Sequence, residues 1–368
     1  MRTKKYLFLI IMGIIFSISQ GQAISPTIKL DTQNGGIGTM TFGQSNGGRN
    51  YLRENNYLGN LHVRYIVSGK VHAVKLSDFP PEVISNRSQN ITLAWQLPGS
   101  IELNQVFSIS GMEMNWDITI SNRNKQTVEI TDMSVHVPIG GRNEELPAKD
   151  NLTKHIFLNG HSSYLYWLPY SGQGNVLLMT MKDGTSLEYK ELGDYYYIHS
   201  KTSVDRTNDT WRMPSTSKTV LSGKSYTTGF NFSLVEDYTA IPDKLYDKRN
   251  MVARIVPGMV VSPEMNVRCA IAGKQKIRLL EPEHPQQIQI ANKGKSNGKY
   301  LFDFKFSRLG ENTITIQYGK GKTCYLNFYV IESLEDVIKK RAGFIATHQQ
   351  HRDTTKWYNG LYSLWDME

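Results

Sequence analysis

Two segments of the sequence combine aromatic rings with polar side chains, a composition that suits the binding of sugars. The apolar faces of sugar rings stack on Trp or Tyr side chains, and carboxylates or amides bond the sugar hydroxyls. The first segment spans 160–169, and its candidate saccharide contacts are His161, Tyr166 and Trp167. The second spans 357–366, and its candidates are Trp357, Tyr358, Trp365 and Asp366. We therefore predict a poly- or oligosaccharide as the partner of these residues.

Both segments also have a purely structural explanation. Tyr166 and Trp167 could be rim and core residues of strands, where aromatic side chains are enriched. Trp365 could pack under a neighbouring helix, which would leave Asp366 merely exposed. Neither segment alone identifies an enzyme, so both interpretations stay open at the level of sequence.

No catalytic pair of carboxyl groups is recognisable in the sequence. Glycoside hydrolysis needs two such groups, about 5 to 5.5 Å apart in retaining enzymes and roughly 6.5 to 9.5 Å apart in inverting ones. Glu188 and Glu191 flank Tyr189 in a strand-like context and can be nominated. That context favours two solvated residues at a sheet edge, so the catalytic residues are unknown.

The sequence predicts neither a metal site nor a cofactor. No His, Cys or carboxylate cluster has the spacing of metal ligands, and the glycine-rich stretches lack the lysine and following helix of phosphate-binding loops. The two cysteines, Cys269 and Cys324, are candidates for a disulfide, which would stabilise the fold by roughly 4 kcal/mol in the chain-entropy model. The alternative is a pair of buried free thiols in facing strands.

The first 23 residues have the order of a secretory signal peptide. Three basic residues precede an uncharged apolar run over 6–18 and a small-residue exit that ends at Ala23. We expect cleavage near Ala23 and a secreted or periplasmic protein. No second apolar run of about 18 residues follows, so no membrane span is predicted in the mature chain. Basic and acidic residues are interspersed, which argues against nucleic acid as a partner.

The elements that position these segments are mostly strands. The clearest one spans 112–120, where apolar residues alternate with polar ones, and Met112 begins the apolar face. The Ser110-Gly111 pair before it is predicted to form a tight hairpin. Further along, the alternation slips in phase, which predicts a β-bulge near Thr131-Asp132.

The repeated strands predict a mainly β fold made of two sandwiches and one C-terminal helix. Many short strands without helices favour a sandwich, and the change of period from two to 3.6 after Ile331 marks the helix. Ser333 can cap this helix with Asp336 at the reciprocal position. The predicted parts are a signal peptide over 1–23, a large β-supersandwich over 24–240, a linker over 241–250, an immunoglobulin-like β-sandwich over 251–331, and the first helix and loop of an incomplete helical barrel over 332–368.

Several longer segments carry a resemblance to a known family. They are HIF at 155–157, GHSSYLYW at 160–167, LLMT at 177–180, LEY at 187–189, YIHS at 197–200, GKSY at 223–226, RIVPGM at 254–259 and GLYSLWDM at 360–367. The order of the parts resembles secreted six-hairpin glycosidase-like proteins, in which a supersandwich precedes an (α/α)6 barrel. More closely, the chain resembles the domain-of-unknown-function family 5695, across essentially the whole mature sequence.

The resemblance implies action on polysaccharides, with the acid and base carried by the helical barrel. Only the first helix of such a barrel is present, so the resemblance implies the N-terminal, non-catalytic portion of a secreted, glycoside hydrolase-like enzyme. Trp365 and Asp366 would then lie near the start of the barrel cleft, and a C-terminal helical domain would be a further partner. Two alternatives are a stand-alone carbohydrate-binding or scaffold protein of the cell envelope, and a complete hydrolase whose site lies in the sandwich.

Overall fold

A computed structural model describes residues 26–43, 49–140, 151–206 and 213–362 of the chain. It consists mainly of antiparallel β-sheets, and one longer helix follows the last strand. The predicted mainly β fold, built of sandwiches with a C-terminal helix, is confirmed. The predicted signal peptide lies outside the described residues. The domain limits and the immunoglobulin-like designation of the second sandwich stay predictions.

The first sandwich contains the sixteen described strands that precede residue 240. They are β1 Pro26–Asp31, β2 Gly36–Phe42, β3 Leu61–Val67, β4 Lys70–Lys75, β5 Glu82–Arg87, β6 Asn90–Leu97, β7 Ile101–Ser110, β8 Glu113–Asn122, β9 Val128–His136, β10 Leu152–Phe157, β11 Tyr164–Pro169, β12 Val176–Met181, β13 Tyr189–Glu191, β14 Tyr195–Ser200, β15 Lys218–Val220 and β16 Ser225–Val235. They form an eight-stranded sheet in the order β10-β11-β12-β16-β8-β7-β6-β5, a six-stranded sheet in the order β13-β14-β9-β3-β4 with β15 beside β9, and a β1-β2 hairpin.

The core of this sandwich lies between the two large sheets. The predicted alternation is visible in β8, where Met114, Trp116 and the two isoleucines that follow at two-residue intervals are fully buried. The Trp116 ring lies 5.5 Å from Phe107 and 5.3 Å from Phe230. Met112 does not share this face: it is 58% exposed, and Ser110 pairs directly with Glu113. The hairpin turn is therefore Gly111-Met112, one residue later than predicted.

The β-bulge predicted near Thr131-Asp132 is confirmed. In the pairing of β3 with β9, Arg64 lies opposite Asp132 and Tyr65 lies opposite Ile130, which leaves Thr131 as the extra residue. An extra residue shifts the side chains that follow it to the other face of the sheet, which is why the apolar alternation slips in phase at this point.

The second sandwich contains the eight described strands that follow residue 250. They are β17 Val252–Val256, β18 Val260–Val261, β19 Val267–Ala272, β20 Ile277–Pro282, β21 Ile288–Ser296, β22 Lys299–Phe306, β23 Gly310–Tyr318 and β24 Lys322–Val330. They form two four-stranded sheets, β17-β19-β22-β21 and β18-β24-β23-β20. The core between them is rich in phenylalanine, and the Phe306 and Phe328 rings lie 4.7 Å apart.

The α-helices among the described residues are α1 Lys201–Asp205, α2 Ile241–Asp247 and α3 Leu334–Phe344, and a π-helical turn Ile345–Gln349 continues α3. Two 3-10 helices span Leu76–Asp78 and Tyr238–Ala240. Helix α1 is too short to show a helical period and was not predicted. Helix α2 lies in the predicted linker. Its Ile241 and Leu245 side chains pack on the outer face of the eight-stranded sheet, against Leu178 and Val235.

The two sandwiches meet at the loop 159–163, which joins β10 to β11. The His161 N–H donates to the Thr323 carbonyl at 3.0 Å, and the Asn159 side chain accepts from the Tyr325 N–H at 2.6 Å. The Ser162 hydroxyl lies 2.9 Å from the Tyr318 hydroxyl. These bonds anchor the second sandwich to the first through two backbone groups of β24 and the Tyr318 side chain of β23.

Helix α3 begins as the sequence predicts. The Ser333 hydroxyl accepts from the Asp336 N–H at 3.1 Å and donates to the Asp336 carboxylate. Its apolar side chains, among them Leu334 and Ile338, are exposed rather than packed. The helix thus presents an apolar face to its surroundings. None of the helices described in the structure is long and apolar enough to cross a membrane.

Candidate functional site

Four aromatic side chains form a continuous stack on β10 and β11, which we call the aromatic strip. Its members are His155, Phe157, Tyr164 and Tyr166. The strand register places His155 opposite Tyr166 and Phe157 opposite Tyr164. The ring centroids of the first pair are 4.4 Å apart and those of the second pair 4.6 Å, and the ring planes within the two pairs are inclined by 11° and 10°. Because side chains alternate along a strand, these rings lie on the outer face, opposite the core residue Leu165.

The aromatic strip is partly exposed to solvent on one side and packs on apolar residues on the other. Phe157 is 42% exposed, and the other three rings are partly exposed. The Tyr164 and Tyr166 rings pack on the apolar cluster that includes Leu178, and this packing holds the stacked rings in place. Burial raises the pKa of Tyr164 to about 12, and burial also raises the pKa of Tyr166. Both hydroxyls are therefore neutral at pH 7 and able to donate and accept hydrogen bonds.

The structure separates the three candidates of the first aromatic segment. Tyr166 belongs to the strip. Trp167 points the other way and is fully buried, which corrects its prediction as a saccharide contact and agrees with its alternative interpretation as a strand core residue. His161 lies in the loop between the sandwiches, where its Nδ1 accepts from the Thr323 N–H at 3.2 Å and burial lowers its pKa. His161 thus supports the junction.

Two candidates of the second segment, Trp357 and Tyr358, contact each other, and the other two lie outside the described residues. Trp357 is 87% exposed, and its ring meets that of Tyr358 edge-on at 5.6 Å. Tyr358 also contacts His351 at 4.8 Å. Trp365 and Asp366 fall outside the part of the chain that the structure describes. A role of this segment in saccharide binding stays a prediction.

The interpretation of Glu188 as a solvated edge residue is wrong, whereas Glu191 is exposed as expected. Glu188 is only 4% exposed, and its carboxylate accepts four hydrogen bonds. The backbone N–H groups of Ser200 and Thr216 donate at 3.1 and 2.9 Å, and both hydroxyls donate as well. Burial raises the pKa of Glu188, although each of these donors acts to lower it. The carboxylate thus joins the end of β14, at Ser200, to the segment before β15, at Thr216, by hydrogen bonds.

A chain of hydrogen bonds continues from Glu188 to the other sheet. His199 Nδ1 lies 2.9 Å from the Thr216 hydroxyl, and His199 Nε2 lies 3.0 Å from the Tyr226 hydroxyl. Because the Thr216 hydroxyl donates to Glu188, it accepts from Nδ1–H, and Nε2 then accepts from Tyr226. Burial lowers the pKa of His199 to about 4, which keeps the ring neutral at pH 7. Glu188 and His199 are buried, whereas Thr216 is exposed and Tyr226 is half-buried, so the chain bridges the sheets and reaches the surface at Thr216.

The remaining groups that could do chemistry are the two cysteines and any cluster of metal ligands. Cys269 and Cys324 are free thiols in the structure, both buried in the second sandwich on strands of different sheets, β19 and β24. Burial raises the pKa of each thiol to about 12, which makes both inert at neutral pH. The disulfide stays a prediction. Within the described residues, no group of three or more His, Cys, Asp or Glu side chains is placed to hold a metal ion.

The sequence analysis found one member of the strip, Tyr166, and overlooked His155 and Phe157. His155 and Phe157 are two positions apart just before the loop, and Tyr164 and Tyr166 are two positions apart just after it. That mirrored spacing around 159–163 is the signal of a hairpin whose aromatic residues face each other. A search for paired aromatic residues across predicted hairpins would have found the strip.

The fold resembles that of a polysaccharide lyase of known structure. The two share 14% sequence identity with a TM-score of 0.70, over 92% of this chain and 51% of the lyase, so this chain spans about half the length of that protein. A galactose mutarotase related enzyme from Lactobacillus acidophilus matches at 11% identity over 59% of this chain and 96% of its own, with a TM-score of 0.34 that supports no argument. No curated protein matches the sequence. The model of the family of unknown function DUF5695 matches residues 53–365, most of the sequence, and the chain therefore belongs to that family.

Proposed function

We propose that this chain is the saccharide-binding, non-catalytic portion of an exported enzyme that processes polysaccharides. The observation that carries the proposal is the aromatic strip. Phe157, which is 42% exposed, and His155 lie on the edge strand β10, where ring faces turned away from β11 offer a surface on which apolar sugar faces stack. Tyr164 and Tyr166 stack on the opposite faces of these rings, at 4.6 and 4.4 Å, and hold them in place. The neutral hydroxyls of Tyr164 and Tyr166 supply hydrogen bonds to the sugar hydroxyls along the same surface.

The burial of Glu188 and His199 fits a binding role better than a catalytic one. Glu188 is 4% exposed and His199 is 7% exposed, so a polymer does not reach either group. The likeness to a polysaccharide lyase supports the substrate class as an analogy, since a shared fold alone does not carry an activity.

The rest of the proposed enzyme is a helical domain that packs on α3. Support comes from the exposed apolar residues of this helix, Leu334 and Ile338 among them, since an amphipathic helix is stabilised mainly by packing its apolar face. In this proposal the sandwich is followed by a six-hairpin barrel, the second sandwich is an immunoglobulin-like spacer, and residues 1–23 direct export.

The strip is tested by replacing one of its rings. Tyr166→Leu keeps an apolar side chain but removes the flat ring, and we expect polysaccharide retention to weaken about tenfold, as the loss of roughly 1.4 kcal/mol of stacking implies. The measurement is affinity electrophoresis in gels that contain a panel of neutral and uronate polysaccharides. The matched control is Tyr329→Leu, which removes an exposed tyrosine from β24. Equal retention of Tyr166→Leu and the unmodified protein, at equal melting temperature, would refute the proposal.

The larger enzyme is tested by the intact mass of the protein that its source cells export. We expect a mass that exceeds that of residues 24–368 by several tens of kilodaltons, because the proposed helical domain contributes the difference. A mass equal to that of residues 24–368 would instead favour a stand-alone saccharide-binding or scaffold protein. A mass that includes residues 1–23 would contradict the predicted cleavage.

A further inference from the structure

A cavity of about 650 Å³ lies beside α2, on the same outer sheet face as the aromatic strip. The β7-β8 turn, the start of β12, the end of β16 and helix α2 surround it. Apolar atoms of Met112 and Val235 form part of its wall, and Glu113, Ser233 and Lys244 supply polar groups. A volume of this size falls within the range of pockets that bind small molecules, about 300 to 1,000 Å³.

Several buried side-chain groups of the described residues have no hydrogen-bond partner, and the Ser233 hydroxyl is the one that lines this cavity. Ser233 is only 1% exposed, and its Oγ has no hydrogen-bond partner in the structure. Ser121, a buried serine on the neighbouring strand β8, shows the usual arrangement, because its hydroxyl lies 2.8 Å from that of Ser225. A buried polar group without a partner is costly, and native proteins seldom retain one. Since χ1 rotation moves a serine hydroxyl between staggered positions, Ser233 can turn to a ligand that supplies the missing bond.

The charges around the cavity favour an uncharged ligand. The Glu113 carboxylate forms ion pairs with Lys244, at 2.8 Å, and with Lys248. Burial alone would raise the pKa of Glu113, but the two ammonium groups lower it to about 2. The wall also includes Glu236 and Asp247, and Asp247 pairs with Lys274 at 2.6 Å, so the acidic and basic groups around the cavity balance. Lys244 is already paired with Glu113, which favours uncharged sugars over uronates, and the carboxylate oxygens accept hydrogen bonds from sugar hydroxyls.

We propose that this cavity is a second saccharide site that binds one or two uncharged sugar units through their hydroxyl groups. The ligand class rests on the proposed function, whereas the location rests on the cavity and the unpaired Ser233 hydroxyl. Sugar hydroxyls donate to the carboxylates and complete the hydrogen bonding of Ser233, and Met112 covers an apolar sugar face at the rim.

The test is NMR titration of the full chain with cellobiose, maltose, lactose and a uronate disaccharide at millimolar concentrations. Ser233→Ala is expected to weaken the binding of the preferred disaccharide about tenfold, the effect of one lost hydrogen bond in a binding site. The same variant should keep or raise the melting temperature, because it removes an unpaired buried hydroxyl. Ser121→Ala is the matched control: it should lower the melting temperature and leave disaccharide binding unchanged.

The outcomes separate this inference from the proposed function. If none of the disaccharides binds, or Ser233→Ala binds as well as the unmodified protein, the cavity is not a saccharide site, even where gels still show polysaccharide retention through the strip. Disaccharide binding that depends on Ser233 and is insensitive to Tyr166→Leu supports the cavity, whatever the gels show. Tighter binding of a uronate disaccharide than of any neutral one overturns the assigned ligand class.

Discussion

Replacing Glu188 with alanine is expected to lower the free energy of unfolding by about 3–5 kcal/mol, because several hydrogen-bond donors lose their buried acceptor. Four donors on Ser200 and Thr216 would lose this acceptor together, and Ser200 is fully buried, so its N–H and hydroxyl cannot turn to water. The His199 ring would lose the Thr216 orientation that fixes its tautomer. Urea unfolding followed by circular dichroism measures the change.

Two further variants decide whether the effect comes from the buried carboxylate. Glu191→Ala removes an exposed carboxylate three residues away and should cost less than about 1 kcal/mol, as surface groups do. Glu188→Gln keeps the shape and one carbonyl acceptor, so its stability should lie between that of Glu188→Ala and that of the unmodified protein. If Glu188→Ala and Glu191→Ala are equally stable, the four hydrogen bonds contribute nothing net and the assignment of Glu188 as a bridge is wrong.

Local patterns in the sequence were sufficient to predict the main features of the fold. The alternation around Trp116 identified a strand with one buried face, and the phase slip located the bulge at Thr131. The cap at Ser333 marked the start of α3. Each of these features depends on residues within a few positions of one another, so each leaves a trace in a short window.

The features that the sequence analysis missed depend on distant residues. Glu188 is buried because Ser200 and Thr216 reach it from 12 and 28 positions away, and no short window contains all three. The strip needs the register of β10 with β11, which brings His155 opposite Tyr166. The cavity needs α2 to lie over the end of the eight-stranded sheet. Tertiary packing therefore sets the candidate sites, whereas local pattern sets the elements.

The Gly160→Ala variant is expected to loosen the contact between the two sandwiches, with a loss of about 2–4 kcal/mol in the stability of the second. Gly160 has φ +56°, a left-handed conformation that an L-residue adopts at a cost of roughly 1–2 kcal/mol. A Cβ atom there would lie 2.7 Å from the Thr323 carbonyl oxygen, closer than real Cβ contacts come. That oxygen belongs to β24, where Thr323 pairs with Gln317 of β23 and its carbonyl already accepts from the His161 N–H, so the strand cannot move aside without breaking these contacts.

Gly184→Ala separates backbone strain from the clash at the junction. Gly184 has φ +82°, but a Cβ atom there would meet nothing within 4 Å, so this variant carries only the conformational cost. Limited proteolysis within 241–250 reports the junction, because α2 packs on the first sandwich and the Met251 N–H donates to Ser162 of the loop, so a loosened loop makes this segment easier to cleave. We expect faster cleavage in Gly160→Ala than in Gly184→Ala, and a urea transition that splits in two only in the former. Identical cleavage rates and transitions would mean that β24 tolerates the extra methyl group, and that the loop 159–163 does not hold the sandwiches together.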